Sequence, residues 1–194
     1  TTPFVAGYPW SNSTGFGAKF ADPSTLPAGT GNSVAFSPDS SCVVIAHSTT
    51  PFVSAYTWSN STGFGAKFAN PSTLPASTAY GVAFSSDGNF VIVSHATTPF
   101  FSIYPWSNST GFGGKLSNPS TLPAGTGTEV AISSNGSCAV AHGTTPFIAG
   151  YLSKTISTES LFWKRNNPST LPTNTGRGVA FSPDGSCVVV AHTT

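Results

Sequence analysis

Two short apolar runs flanking a polar turn recur four times along this chain. In the last copy they are VAF from Val179 and CVVVAH from Cys187, separated by Ser182, Pro183, Asp184, Gly185 and Ser186. β-Branched runs around a turn that contains Asp and Gly predict a β-hairpin, with Gly free to take a positive φ. The turns SPDS at Ser37, SSDG at Ser85 and SSNG at Ser133 place the other three hairpins near Asp39, Asp87 and Asn135. The second run is apolar at nearly every position (Val43, Val44, Ile45, Ala46), where a half-exposed strand would alternate. Such a strand is expected to be covered on both faces, which predicts sheets stacked face to face.

Two further strands follow from the alternation in the next stretch. TTPFVAGYPW from Thr1 alternates Phe4, Ala6 and Tyr8 with Val5 and Gly7, and Pro3 is expected to force an extended start. SNSTG from Ser11 reads as a turn, and FGAKF from Phe16 as a fourth, more polar strand with Lys19 pointing outward. DPSTLPAGTG from Asp22 is a Pro- and Gly-bounded loop, with Leu26 the expected apolar plug beneath it. No run of ten residues carries a 3.6-residue period without a Pro or Gly, so no helix is predicted.

The whole pattern is a repeat. TTPF opens at Thr1, Thr49, Thr97 and Thr144, giving units of about 1–48, 49–96, 97–143 and 144–194. A period in the forties marks an array in which no unit buries its own faces and each relies on its neighbours. Four strands in roughly 40–50 residues correspond to a β-propeller blade. The expectation is therefore all-β, a propeller of four-stranded antiparallel blades in about four repeats, forming one array over residues 1–194. VAFSPDGSCVVVAH from Val179 resembles the first two strands of blades in Trp-Asp-repeat propellers and their bacterial relatives with FSPDG turns. That resemblance implies the propeller architecture and, since fold does not carry function, nothing about a ligand. The third strand ends in Tyr8-Pro9-Trp10, Tyr56-Thr57-Trp58 or Tyr104-Pro105-Trp106, never Trp-Asp, and the hydrogen-bond tetrad of true Trp-Asp repeats does not map onto this sequence.

The chain starts with strands three and four of one blade and finishes with strands one and two of another. The two half-blades are expected to pair with each other, with another copy of the chain or with further repeats of a longer polypeptide, and we expect that the chain does not close alone. The absence of Met and the start inside a repeat suggest a processed product or a segment of something longer.

Composition narrows the partners. Only 7% of residues are charged, against roughly 25% in an ordinary soluble protein, and the net charge is +1. Ser and Thr fill the gap, so the solvent face carries hydroxyls and amides. Neither nucleic acid nor an anionic membrane is expected as a partner, and no apolar run approaches the roughly 20 residues of a spanning helix.

Candidate chemistry is sparse. Cys42, Cys138 and Cys187 follow the hairpin turn in three repeats, with Phe90 in that place in the second, and are expected to be reduced, buried core thiols. His47, His95, His142 and His192 close the second strand of each repeat. Zinc needs its ligand atoms about 2.0–2.1 Å from one point, which equivalent residues of neighbouring blades do not reach, so a strand-capping histidine bonded to the TTPF segment is expected and no metal. No GxSxG, HExxH or phosphate-binding loop occurs, so neither catalysis nor a cofactor is expected. The fourth copy breaks the symmetry where LSKTISTESLFWKR, from Leu152 to Arg165, replaces PWSNSTGFGAKF.

Asn12, Asn60 and Asn108 open NST triplets in the turn between strands three and four, and Asn135 opens NGS. They are N-glycosylation acceptors in a eukaryotic secretory pathway, and Asn also suits a turn for its own backbone bonding. Tyr8 and Trp10, Tyr56 and Trp58, and Tyr104 and Trp106 recur at i, i+2, each pair on one strand face. Packing between blades is the default for them. Trp10, Trp58 and Trp106 as sugar-stacking platforms are the alternative. The functional expectation is a non-enzymatic structural or binding module, extracellular or on a particle or cell surface, within a larger assembly or filament. The alternative is a multivalent, lectin-like carbohydrate-binding propeller.

Overall fold

The computed structural model describes residues 2–156 and 159–194, and the side chains of these outside 153–162. Among the described residues the chain is all-β. Its strands are β1 (Trp10–Ser11), β2 (Gly15–Phe16), β3 (Gly31–Phe36), β4 (Cys42–His47), β5 (Val53–Ser59), β6 (Gly63–Lys67), β7 (Ala79–Phe84), β8 (Phe90–His95), β9 (Phe101–Ser107), β10 (Gly111–Phe112), β11 (Gly127–Ile132), β12 (Cys138–His142), β13 (Ile148–Ile156), β14 (Glu159–Lys164), β15 (Gly176–Phe181) and β16 (Val188–His192). They form three antiparallel four-stranded sheets in chain order, β3 to β6, β7 to β10 and β11 to β14, and two separate two-stranded sheets, β1–β2 and β15–β16.

Each hairpin is built by one repeated side-chain device. Ser37 Oγ donates to Asp39 Oδ1 at 2.7 Å and accepts from the Cys42 amide at 3.0 Å; Ser85 with Asp87, Ser133 with Asn135 and Ser182 with Asp184 repeat it. Gly88, Gly136 and Gly185 sit at φ 73°, 83° and 71°, and Ser40 holds the same left-handed place in the first copy at φ 59°.

The second strands are buried from end to end in β4 and β12, and from Val91 onward in β8. Alternate residues serve two neighbours. Cys42, Val44 and Ala46 cluster with Val82, Val91, Val93, Tyr104 and Trp106 of the next sheet, while Val43 and Ile45 turn to the other side with Val5. Each complete sheet thus lends one face to the sheet before and the other to the sheet after. Burying a Val or Ile in this way contributes roughly 1.5–3 kcal/mol over leaving it in water. The first strands β3, β7, β11 and β15 pack side by side. Asn32 Nδ2 donates to Ala79 O at 2.7 Å and Thr128 Oγ1 to Gly176 O at 2.5 Å, linking successive first strands.

Four expectations are corrected. TTPF does not start a strand. The Thr–Pro bonds at Pro3, Pro51, Pro99 and Pro146 are cis, the following Phe residues lie at φ 66–72°, and Phe52 N bonds back to Thr49 O at 2.8 Å; the segment is a turn, and the third strand begins one residue after it at Val53, Phe101 and Ile148, and only at Trp10 in the first copy. Leu26 is not the plug, being 38% exposed; Pro23, Pro27, Pro71 and Pro75 are buried instead, and a proline brings no backbone N–H that burial would leave unpaired.

The cysteines are not equivalent. Val43 pairs with Phe36, but Cys138 pairs with Ile132, because the third turn closes on Ser133 and Ser137 and is one residue shorter than Ser37 to Cys42. A one-residue slip moves a side chain to the opposite face of its sheet. Cys138 accordingly faces the preceding sheet, packed with Ile103, Val140 and Tyr151, and Cys42 the following one. Cys187 is exposed, not buried, because it stands at the position of Cys42 in a sheet that has no following neighbour here.

Candidate functional site

The residues singled out for ligands come together at the end of each sheet where the third strand turns into the fourth. Trp10, Trp58 and Trp106 each donate their indole N–H to the amide oxygen two residues on, Asn12, Asn60 and Asn108, at 3.2, 3.0 and 2.7 Å. The Trp-Ser-Asn spacing therefore builds a local clasp across the turn. A Ser hydroxyl pair completes it, as between Ser107 and Ser109 at 2.8 Å.

Within this clasp the three tryptophans differ in exposure. Trp10 is 64% exposed, Trp58 is half-buried and Trp106 is 6% exposed. Trp106 meets Phe68, Phe84 and Phe112 edge to face, and Trp58 meets Phe20, Phe36 and Phe64 in the same way. Such contacts use the ring edges and faces as core. Trp10 keeps only Phe16 as its aromatic neighbour among the described residues.

Asn108 is engaged at both ends. Its Oδ1 accepts from Trp106, and its Nδ2 donates to Asp39 Oδ2 at 2.7 Å, joining the β9–β10 turn to the β3–β4 hairpin of the sheet before. A polar cleft of about 410 Å³ opens beside this link, lined by Asp39, Asp87, Asn89, Trp106 and Asn108. Its polar groups are largely spent on one another. Asp39 also takes the Ser37 and Ser41 hydroxyls, whose hydrogen bonds hold its carboxyl below the usual range. Asp87 binds the Asn89 amide and side chain. Asn135 closes its own turn, accepting from Ser133 Oγ and Ser137 N.

The histidines lie in the strand pair next to the turn and not on a common point. His47 Nε2 is 3.0 Å from Ser54 Oγ and His95 Nε2 is 3.1 Å from Ser102 Oγ. His142 is buried with neither ring nitrogen partnered, since Ala149 occupies the serine's place. Burial lowers the pKa of all three, that of His95 to about 4. His192 is exposed and bonds the Thr193 carbonyl. Among the described residues no group of three or more His, Cys, Asp or Glu is placed to hold a metal ion, and no helix is long and apolar enough to cross a membrane.

Sequence reasoning missed the serine partners of the histidines and the Trp–Asn clasp. The first had a signal, since Ser54 and Ser102 are polar residues inside otherwise apolar strands. The second had one in the i, i+2 spacing. In the rewritten copy, the side chains of 153–162 fall outside the description, Trp163 is exposed, and Arg165 and Leu152 line an apolar recess of about 320 Å³ with Tyr151, Phe181 and Val188.

No family model matches this sequence, and no curated protein matches it. Among solved structures, Kuenenia stuttgartiensis hydrazine synthase is similar, with a TM-score of 0.59 at 18% identity. The similarity covers 82% of this chain and 41% of that one, so the chain spans less than half the length of the structure it matches; at this identity the likeness concerns the fold alone.

Proposed function

We propose that the complete sheets are blades of a β-propeller, of the kind the Trp-Asp-repeat resemblance implies, and that the chain is a non-enzymatic structural or binding module. The side-by-side row of first strands β3, β7, β11 and β15 is the observation that carries this reading. A radial array puts one edge strand of every sheet at a hub, and the Asn32 and Thr128 bonds between successive first strands support such a hub. Faces covered on both sides by successive sheets support it too, where a two-sheet sandwich would leave each outer face polar.

A structural role is favoured because the polar groups of the inter-sheet cleft satisfy one another. The low charge and hydroxyl-rich composition fit an extracellular or particle-surface setting, with Asn12, Asn60, Asn108 and Asn135 as acceptor sites for glycans in a secretory host. Other copies of the chain or further repeats are its partners, and we assign it no cofactor, metal, nucleic acid or membrane span. The lectin-like alternative gains nothing from Trp58 and Trp106, whose rings are occupied by Phe contacts.

Electron micrographs of the purified protein test the reading. Sheets radiating from a common hub are expected, and a straight, uncurved stack of sheets would overturn it.

A further inference from the structure

The first strand of every complete sheet is an edge strand, so the amides on its outer side need acceptors from elsewhere. Where the second complete sheet follows the first, the sheet before supplies one: Val82 N donates to Ser33 Oγ at 3.3 Å. The third sheet does not receive this bond from the second, because Gly81 stands in the place of Ser33 and has no side chain. Val130 N donates instead to Glu129 Oε1 of its own strand, at 3.0 Å.

The residues on both sides of this joint change together. Ser33 pairs with Ala46, whereas Gly81 pairs with Ser94. Gly81 N donates to Ser94 Oγ at 2.9 Å within the second sheet. The Glu129 carboxylate, from the third sheet, lies in the space that a side chain on Gly81 would fill. A Cβ added there would overlap Glu129 Oε1 and stand 2.8 Å from Ser94 Oγ and 2.9 Å from Glu129 Cα, closer than side chains approach. On its other side Glu129 makes no such fit. A Cβ on Gly178 of β15 would meet only Ala191 of its own sheet among the described residues, at 3.7 Å. Glu129 therefore reaches back to the sheet before it.

We propose that Gly81 with Ser94 forms a notch and Glu129 a key, and that the pair selects the neighbour which the third sheet accepts on its preceding face. That neighbour must carry no side chain at the place of Gly81. Among the four copies Gly81 and Gly178 meet this requirement, and Ser33 and Glu129 do not. The selection matters because the repeats are otherwise near copies, and similar neighbours misassemble within and between chains. A joint that admits one face and rejects another supplies the repulsive element that discrimination requires.

Shape, not charge, carries the recognition. Glu129 is half-buried, burial raises the pKa of its carboxyl, and among the described residues no cation forms an ion pair with it. A carboxylate held there without a counter-charge is costly as a charge and serves as an acceptor of the right length. Only contacts between successive sheets enter, so the pairing holds for any stacking of them and is independent of the propeller reading.

Chemical denaturation of full-length variants tests the pair. Gly81→Ser fills the notch and should lower the folding equilibrium constant at least about tenfold. Ser94→Ala combined with Glu129→Gly removes the key and should lower it about tenfold, since Val130 N loses its acceptor. All three changes together rebuild the joint made by Ser33, Ala46 and Gly81. That triple variant should be at least about tenfold more stable than Gly81→Ser alone. A triple variant that folds where Gly81→Ser does not supports the proposal equally. Losses that simply multiply, or a triple variant no more stable than Gly81→Ser, would overturn it. Glu129→Gln keeps the length and the acceptor without the charge, and should stay within about threefold of the unmodified protein. A loss as large as that of the variant without the key would overturn recognition by shape.

Discussion

His47 Nε2 lies 3.0 Å from Ser54 Oγ, inside a strand pair where both residues are buried, and His142 in the equivalent place faces Ala149 and has no partner. The repeat thus contains its own mutational comparison. A buried polar group left unpaired costs about 1–3 kcal/mol, and a net buried hydrogen bond contributes about 0.5–1.5 kcal/mol. Ser54→Ala and Ser102→Ala should each lower unfolding stability by about 1–2 kcal/mol in a denaturant titration. Ala149→Ser should raise it by up to about 1 kcal/mol, provided the hydroxyl fits. A stabilising Ser102→Ala would show that the histidine needs no partner.

Acid should act on these rings before it reaches the carboxylates. Burial depresses the folded pKa of His95 to about 4 from an ordinary 6.5, so the fold holds the neutral ring. For a depressed histidine the unfolded chain binds the proton first, and stability falls as pH drops from 6.5 to about 4. The loss at His95 is roughly 3 kcal/mol by pH 4, with His47 and His142 adding in the same direction. Asp184, held down to about 2 by the Ser182 hydroxyl and then Ser186, contributes stability that is complete above pH 3.8 and is lost progressively as pH falls from 3.8 to about 2. Denaturation midpoints measured from pH 7 to 4 should slope downward, and His95→Gln should flatten that slope. A midpoint independent of pH over this range would contradict the assignment.

What the sequence reveals and conceals has physical causes visible in single residues. The hairpins near Asp39 and Asp184 are legible because their chemistry is local: a Ser two residues before an Asp and a residue able to take positive φ. The double burial of Val43 to Ala46 is legible because it needs no alternation. The face occupied by Cys138 is not legible, since a missing residue can be absorbed by the turn or by the strand and only the pairing with Ile132 decides. Val189 and Val44 are equally hidden from sequence reasoning. Their surroundings read alike, and exposure depends on whether a neighbouring sheet is present. The Trp–Asn clasp was written in the spacing, but three copies of one turn look the same whether the indole serves a ligand or its own asparagine.

The clasp predicts a gradient along the chain. Replacing each Trp by Phe removes one indole N–H and leaves most of the ring. At Trp106, buried and bonded to Asn108 at 2.7 Å, the cost should be about 1–2 kcal/mol. At Trp58, half-buried, it should be smaller, and at Trp10, 64% exposed in the isolated chain, near zero. Thermal unfolding of the three variants checks the order, and an equal loss at all three would mean that the clasp stabilises each turn independently of burial.

Ser40 offers the last test, because one position of the hairpin device carries the wrong residue for its backbone. Its φ of 59° matches Gly88, Gly136 and Gly185 in the sister turns at 71–83°, yet it bears a Cβ. A non-Gly residue in the left-handed region costs roughly 1–2 kcal/mol, while Gly loses about 0.5–1 kcal/mol more chain freedom on folding. The first effect is the larger, and the Ser40 side chain makes no hydrogen bond among the described residues that the change would forfeit. Ser40→Gly should therefore stabilise the protein by about 0.5–1 kcal/mol. The converse change, Gly136→Ser, moves a sister turn into the strained state and should destabilise by a similar amount. Chemical denaturation of both variants gives the answer, and the same sign for the two substitutions would refute the shared turn geometry on which the repeat is built.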